Sequence, residues 1–229
     1  VGGNGSIAVR DSDLHTYGIF MDETVQSPND AKTLKKLEIT GSTVLTGDII
    51  GARGDYSSVE EVVIHGSSIR LNDEYTYNYC TIGGGTRGSF GSIDIQDSQI
   101  HIPSSGGNTA IGNGWQVYYN RESHIRIANS EVSVRCASLG PAIGAAWDSG
   151  SGRINIIIEN STVTAKGGNL RTDGNYVPGI GKNALGRAPE IGIQILNSTV
   201  DSFRLTEKDG TNYVYDDLHT KELPGIPAE

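Results

Sequence analysis

The sequence is poor in aromatic and sulfur-containing residues, with 3 Phe, 2 Trp, 2 Cys and 1 Met among its 229 residues. It has no apolar run near the ~18 residues that a membrane-spanning helix requires, so membrane insertion is not expected. Cationic residues are outnumbered as well, 18 Lys and Arg against 27 Asp and Glu, which gives a net charge of −9. Nucleic acids and anionic membranes are bound by clustered Lys and Arg, so neither is a predicted partner.

The two cysteines, Cys80 and Cys136, fall at different positions of the repeat described below. We therefore expect two buried thiols that act as small apolar side chains, and no disulfide. Cysteine usage does not decide the compartment, because neither a disulfide framework nor a reactive motif is present. The N-terminus begins at Val1 with neither a start Met nor a signal peptide, which indicates a processed or excised fragment.

The chain does contain a strong internal repeat. Seven segments share the form aliphatic-x-aliphatic-x-[Asp/Asn/Gly]-Ser-x-aliphatic, and all 21 aliphatic positions hold Ile, Leu or Val, although only 51 residues of the chain are of these types. The shared serines form what we call the serine ladder: Ser12, Ser42, Ser67, Ser98, Ser130, Ser161 and Ser198. Self-similarity of this kind predicts one supersecondary unit per repeat, stacked on its neighbours.

The spacing within each segment predicts two short strands joined by a tight bend. Two aliphatic residues alternate with period two, as on the inner face of a strand, and the ladder serine then follows after one additional residue. That additional residue tolerates the left-handed backbone conformation that a sharp bend needs. These residues form what we call the corner column: Asp11, Gly41, Gly66, Asp97, Asn129, Asn160 and Asn197.

A third strand is indicated by an Ile-Gly pair in most repeats, beginning at Ile50, Ile82, Ile111, Ile143 and Ile180. The repeats from Ser42 to Ser198 average about 31 residues, enough for three strands and two longer loops. The predicted fold is therefore all-β: a single-stranded parallel β-helix, or β-solenoid, of about seven coils of three short strands. Its crossovers are expected to be right-handed.

These repeats resemble the right-handed parallel β-helix proteins of the pectate-lyase-like type. Asn129, Asn160 and Asn197 look like the asparagine ladder at the tight turn of that family, and the Ile-Gly repeats are similar to Gly-rich repeats of secreted bacterial surface proteins. The resemblance covers residues 1–202; residues 203–229 break the pattern and are expected to form a C-terminal cap. It implies an extracellular or cell-surface location, but it implies no single activity, because such folds host lyases, hydrolases, adhesins and spacers.

In that family the substrate lies along the third-strand sheet, between the loops on either side. The outward neighbours of each Ile are small in this chain, as in Ala110, Gly112, Ala142 and Gly144, so the sequence predicts a bare floor that a flat sugar ring could approach closely. The alternative interpretation, equally consistent with the sequence, is that the small residues only let a loop or a neighbouring chain pack there. A lyase of the family would be expected to place Asp ligands for Ca²⁺ and an Arg or Lys base on this floor. The floor carries none of these, which disfavours a lyase.

The loops after Ile-Gly hold the candidate binding residues. Trp115 and Trp147 each stand three residues past their Gly, so they occupy equivalent positions in adjacent coils. Aromatic faces beside charged groups are suited to stacking on a sugar and hydrogen-bonding its hydroxyls. The predicted ligand-binding residues are Trp115, Trp147, Tyr118, Tyr119, Asp148, Arg53 and Arg87. The alternative is that the two Trp rings only cover the end of the inner core.

The leading hypothesis is a non-catalytic, secreted or cell-surface module that binds a polysaccharide or another glycan. One alternative is a carbohydrate-active enzyme, a glycoside hydrolase more than a lyase, with an acid pair drawn from Asp55, Asp148 and Asp173. The other is a structural spacer or adhesin stalk. The five His share no metal-ligand spacing, so no metal site and no cofactor are predicted, although Asp22-Glu23 and Asp73-Glu74 could bind Ca²⁺.

Overall fold

The computed structural model describes residues 5–22, 32–54, 56–71, 82–85, 87–105, 109–117, 121–137, 140–150, 152–168, 177–183, 187, 189–202, 205–207 and 212–215. Every regular element in this part of the chain is a β-strand, and the strands form three sheets. Successive coils contribute one strand to each sheet in turn. The predicted all-β, solenoid architecture is thereby confirmed.

Each of the three sheets runs along the stack. In spatial order, the first sheet contains β1 (Ser6–Arg10), β4 (Lys32–Thr40), β7 (Ser57–His65), β10 (Ser89–Gln96), β13 (Arg121–Ala128), β16 (Gly152–Glu159), β19 (Glu190–Leu196), β22 (Asn212–Tyr215) and β21 (Leu205–Glu207). The second contains β2 (Asp13–Thr16), β5 (Thr43–Thr46), β8 (Ser68–Leu71), β11 (Gln99–Ile102), β14 (Glu131–Arg135), β17 (Thr162–Lys166) and β20 (Thr199–Ser202). The third contains β3 (Ile19–Asp22), β6 (Ile50–Arg53), β9 (Ile82–Gly84), β12 (Ile111–Asn113), β15 (Ile143–Ala145) and β18 (Ile180–Lys182).

The strands of consecutive coils pair in parallel and in the register that the repeat predicts. Ile125 lies opposite Ile156, Val132 opposite Val163, and Ile111 opposite Ile143. Each aliphatic position therefore forms a column along the interior, and most of its members are fully buried. Burial of one Ile, Leu or Val side chain contributes about 1.5–3 kcal/mol, so these columns are the main source of stability.

The corner column has the predicted backbone conformation in every coil. All seven residues have a positive φ, between 48° at Asp11 and 60° at Gly41. The backbone N–H of each corner residue from Asp11 to Asn160 donates to a carbonyl oxygen of the following coil, for example Asn129 N to Glu159 O at 3.1 Å. The tight bends are therefore bonded to one another along the whole stack.

The serine ladder is a continuous chain of hydrogen bonds just inside this corner. The backbone N–H of each serine donates to the hydroxyl of the serine in the next coil, as in Ser98 N to Ser130 Oγ at 3.1 Å. Each hydroxyl then donates to the carbonyl two residues earlier, as in Ser130 Oγ to Ala128 O at 2.6 Å. Every buried polar group of the bend thus has a partner, which explains why Ser recurs there.

The asparagines of the corner column play a different part from the one that the family resemblance implied. The side chains of Asn129, Asn160 and Asn197 are exposed, and no hydrogen bond joins them within the described residues. The expectation of a hydrogen-bonded asparagine ladder was wrong. Serine forms the ladder. Asparagine occupies the corner because a residue with its short polar side chain tolerates the left-handed backbone conformation.

The two ends of the stack differ. Within the described part of the tail, β21 and β22 pair antiparallel, and β22 pairs antiparallel with β19 of the last coil. At the other end Ile7, Val9 and Leu14 are only partly buried, although they pack against the core. Cys136 is a buried free thiol, as predicted, whereas Cys80 lies outside the described residues.

Candidate functional site

A second column of left-handed turns follows the third sheet. Tyr56, Arg87, Gln116 and Asp148 have φ values of 60°, 64°, 57° and 50°. They stand four or five residues after the Gly of the Ile-Gly pair, in consecutive coils, and we call them the loop-turn column. A positive φ costs a residue with a side chain about 1–2 kcal/mol, so four in register are a notable concentration of backbone strain. No sequence pattern predicted this column.

The two tryptophans immediately precede the loop-turn column. Their rings are stacked, with centroids 5.7 Å apart and planes 17° from parallel, and both side chains are half-buried. The backbone stays bonded from rung to rung at this point, through Arg87 N to Trp115 O at 2.8 Å and Gln116 N to Trp147 O at 3.4 Å. The sequence prediction that Trp115 and Trp147 occupy equivalent positions of adjacent coils is confirmed.

Two buried polar atoms in the coil of Trp115 have no hydrogen-bond partner within the described part of the chain. Trp115 Nε1 is inaccessible to solvent and donates to no acceptor, and Asn113 Oδ1, two residues earlier, accepts from no donor. A buried Trp N–H normally finds a hydrogen-bond acceptor. A buried polar atom without a partner calls for a water molecule, a ligand or another specific explanation. This coil therefore contains one buried donor and one buried acceptor that have no partner among the described residues.

The charged candidates around the tryptophans are engaged with neighbouring coils. Arg87 Nε donates to Gln116 Oε1 at 3.2 Å, within the loop-turn column. Asp148 Oδ1 accepts from both the backbone N and the Nε of Arg187, each at 3.3 Å. Gln116 and Arg187 were absent from the predicted site. The position of Gln116 directly after Trp115 could have revealed it, but no local signal connects Arg187 with Asp148, 39 residues away.

Arg53 has a structural partner. Its Nη1 lies 3.0 Å from Asp48 Oδ2, and Asp48 is 1% exposed, so the guanidinium compensates a buried carboxylate. Removing Arg53 would leave that carboxylate without this counterion, which is costly for a buried charge.

Several predicted residues lie outside the described part of the chain. These are Tyr118 and Tyr119 of the predicted site, Asp55 and Asp173 of the acid pair, and Glu23, Asp73 and Glu74 of the Ca²⁺ alternative; the side chain of Asp22 is likewise not described. Asp148 is the one member of the predicted acid pair that the structure describes.

The predicted open floor of the third sheet is wrong. Ala110 and Ala142 are 0% exposed, and the Gly of each Ile-Gly pair is buried as well. These glycines form what we call the glycine column: Gly51, Gly83, Gly112, Gly144 and Gly181. A Cβ on Gly144 would lie 1.9 Å from the carbonyl oxygen of Gly181 in the next coil. The absence of side chains makes room for the neighbouring backbone and leaves no space for a ligand.

The outer face of the first sheet is polar, and its charged groups pair with one another across coils. Asp94 accepts from His65 Nε2 and from Arg126 Nη1, each at 3.0 Å, and Arg126 Nε donates to Glu159 at 2.7 Å. Burial lowers the pKa of Arg126, but its hydrogen bonds to the two carboxylates outweigh this and hold the pKa above its usual value. In this network the charges of Asp94, Arg126 and Glu159 are paired with one another.

The fold defines the chain as a parallel β-solenoid protein. Comparison with models of known protein families, with characterised proteins and with solved structures found no match. Among the described residues, no helix has the length and apolar character to cross a membrane.

Proposed function

We propose that this protein is a non-catalytic glycan-binding module whose sugar platform is the stacked pair Trp115 and Trp147. The observation that carries the proposal is the pair itself: two half-exposed indole rings stacked on adjacent rungs. Aromatic surface next to hydrogen-bonding groups is suited to the apolar C–H face and the hydroxyls of a sugar.

The polar side chains beside the rings are held in place and so suit recognition. Arg87 donates a hydrogen bond to Gln116, and Arg187 donates one to Asp148. Groups that are already ordered lose less conformational entropy when a ligand binds. The platform spans two adjacent rungs, because Trp occupies this position only in the coils of Trp115 and Trp147.

The same proposal places the protein outside the cell or on its surface, as the resemblance to Gly-rich surface repeats implies. We also infer that the crossovers between strands of one sheet are right-handed, because parallel crossover connections almost always are.

The decisive variant is Trp147→Ala, assayed for retention by immobilised or gel-embedded polysaccharides and, in the same preparation, for thermal unfolding. We expect retention to fall about tenfold, equivalent to about 1.4 kcal/mol, with little change in melting temperature. Tyr17→Ala is the matched control, because Tyr17 is an exposed aromatic residue, 46% accessible, in a different loop.

Two other outcomes would replace the proposal. A stability loss of about 3–5 kcal/mol with unchanged binding by the folded fraction would make the tryptophans a cover for the core and favour the spacer or stalk alternative. Release of oligosaccharide products from a bound polysaccharide, abolished by Asp148→Asn, would favour the glycoside hydrolase alternative.

A further inference from the structure

A polar groove of ≈ 390 Å³ follows the tight corner between the first and second sheets through three consecutive coils. Two rows of side chains line it: one from the corner column and one from the first residue of each second-sheet strand. This corner groove is lined mainly by Asp97, Asn129, Asn160, Gln99, Glu131 and Thr162. All six residues are exposed, and equivalent positions lie one rung apart, roughly 4.8 Å.

The side chains of the groove form fewer hydrogen bonds with other side chains than those on the outer face of the first sheet. Gln96 Nε2 donates to Asp97 Oδ2 at 3.0 Å. Within the described residues, the other five side chains of the groove make no hydrogen bond. On the outer face of the first sheet, by contrast, His65, Asp94 and Arg126 pair across coils. The groove therefore presents amide donors and several oxygen acceptors that are available to a ligand.

The lining chemistry limits the class of ligand. Two carboxylates and the absence of Lys, Arg or His from the lining disfavour an anionic ligand. The lining contains no aromatic ring for a base or a flat aromatic ligand. A peptide strand would need an unpaired sheet edge, and β11 and β14 are paired on both sides. Among the described residues, no cluster of three His, Cys, Asp or Glu could hold a metal ion.

We infer that the corner groove is a second ligand site, which binds a neutral, hydroxyl-rich saccharide chain along the axis of the solenoid. Sugar hydroxyls both donate and accept hydrogen bonds, so they match the mixed amide, hydroxyl and carboxylate lining. Equivalent positions recur at each rung, so successive sugars meet two polar side chains per rung, although their types differ from coil to coil. The inference rests on the proposed function for its ligand class and on the corner groove for its location.

The groove and the Trp pair are separate surfaces. Trp147 precedes β16 and Asn160 follows it, and eight strand residues span roughly 26 Å. The paired charges of the first sheet lie between them.

The test is the double variant Asn129→Gly/Asn160→Gly. Gly41 and Gly66 occupy the same position in earlier coils, so Gly suits this backbone conformation and the variant is expected to fold. Asn197→Gly is the matched control, because it makes the same change in the corner column beyond the groove lining. Each protein is run in native gels containing soluble galactomannan, mixed-linkage glucan or xylan, titrated with calcium chloride by calorimetry, and melted.

We expect the double variant to lose about tenfold in retention, as two lost hydrogen bonds imply, with melting temperature and the Asn197→Gly control unchanged. Unaltered retention by the double variant overturns the inference, and so does a wild-type protein that none of the three polysaccharides retains. Calcium binding that the double variant loses, without any effect on polysaccharide retention, identifies a cation site and also overturns it.

The two sites fail separately. If Trp147→Ala abolishes retention and the double variant does not weaken it, the proposed function stands and the groove is rejected. If only the double variant weakens retention, the groove stands and the Trp platform is rejected.

Discussion

The corner column and the loop-turn column are both ladders of left-handed residues, but only the corner column is built entirely from residue types suited to that conformation. The corner column uses Asp, Asn and Gly in all seven coils, over a hydrogen-bonded serine ladder that is buried from Ser42 to Ser161. Three of the four described residues of the loop-turn column, Tyr56, Arg87 and Gln116, are of types that rarely adopt it, and only Asp148 is of a suited type. The first column serves the fold in every coil. The second carries backbone strain at half-buried loop residues, and such strain is found most often at functional sites.

The largest effect in this comparison is expected at the strand that leads into the loop-turn column. Gly144→Ala places a Cβ 1.9 Å from the carbonyl oxygen of Gly181, at a φ of +129°. Overpacking and backbone strain together should lower the free energy of unfolding by about 3–5 kcal/mol, measured by denaturant titration.

The matched change on the corner column is Gly66→Ala. A Cβ there would meet no atom closer than 4.0 Å, so only the left-handed φ of +57° opposes it. A loss of about 1–2 kcal/mol is expected. Equal losses at Gly66 and Gly144 would contradict the packed glycine column.

The serine ladder should be the next most sensitive feature. Ser130→Ala removes the acceptor of Ser98 N and leaves that buried N–H without a partner. A loss of about 1–3 kcal/mol is expected from chemical unfolding. Ser133→Ala, on the half-buried outward side of β14, should change stability by less than about 0.5 kcal/mol. A ladder substitution as mild as this control would show that water replaces the hydroxyl.

The corner itself can be probed at Asn160. Asn160→Val forces a β-branched residue into the left-handed conformation and should cost about 1–3 kcal/mol, whereas Asn160→Gly should be much milder. The whole cost is assigned to the backbone, because the Asn160 side chain makes no hydrogen bond within the described residues. Thermal melts of the two variants check this, and identical behaviour of Val and Gly is the contrary result.

The smallest effect is expected within the loop-turn column. Gln116→Ala and Gln116→Gly both lose the hydrogen bond from Arg87, so their difference isolates the left-handed backbone at this position. The Gly variant should be more stable by about 1 kcal/mol in chemical unfolding. An Ala variant of equal or greater stability would mean that this turn is not left-handed in solution.

Sequence reasoning succeeded where one residue type recurs for one physical reason. Aliphatic residues spaced by two, followed by a residue that accepts a positive φ, predicted the strands, their register and the corner column. This pattern repeats in all seven coils, so seven weak local signals combine into a strong one. The separate Ile-Gly spacing, which marks five coils, placed Trp115 and Trp147 in adjacent coils.

The features that could not be predicted from the sequence are those whose residues do not recur from coil to coil, or whose recurrence has more than one physical explanation. The loop-turn column escaped prediction because its residues are chosen individually, and nothing local marks Tyr56 or Arg87 as left-handed. The glycine column was predicted to be an open floor because a missing side chain is equally consistent with space for a ligand and with close backbone packing. Only the position of the neighbouring coil distinguishes the two. Contacts between loops, such as the hydrogen bond from Arg187 to Asp148, depend on loop conformations that the sequence repeat does not determine.

The serine ladder also gives the stack a direction. Each serine N–H donates forward, to the hydroxyl of the coil that comes next, from Ser12 N to Ser42 Oγ through to Ser161 N to Ser198 Oγ. If the next coil unfolds, the serine N–H loses its acceptor. If the preceding coil unfolds, the serine hydroxyl loses a donor but still donates to the carbonyl of its own bend. An unbonded buried donor is the more costly defect. As far as the ladder is concerned, unfolding of the N-terminal coil therefore costs less than unfolding of the C-terminal coil. During folding, the serine N–H of each coil gains its acceptor only when the next coil forms.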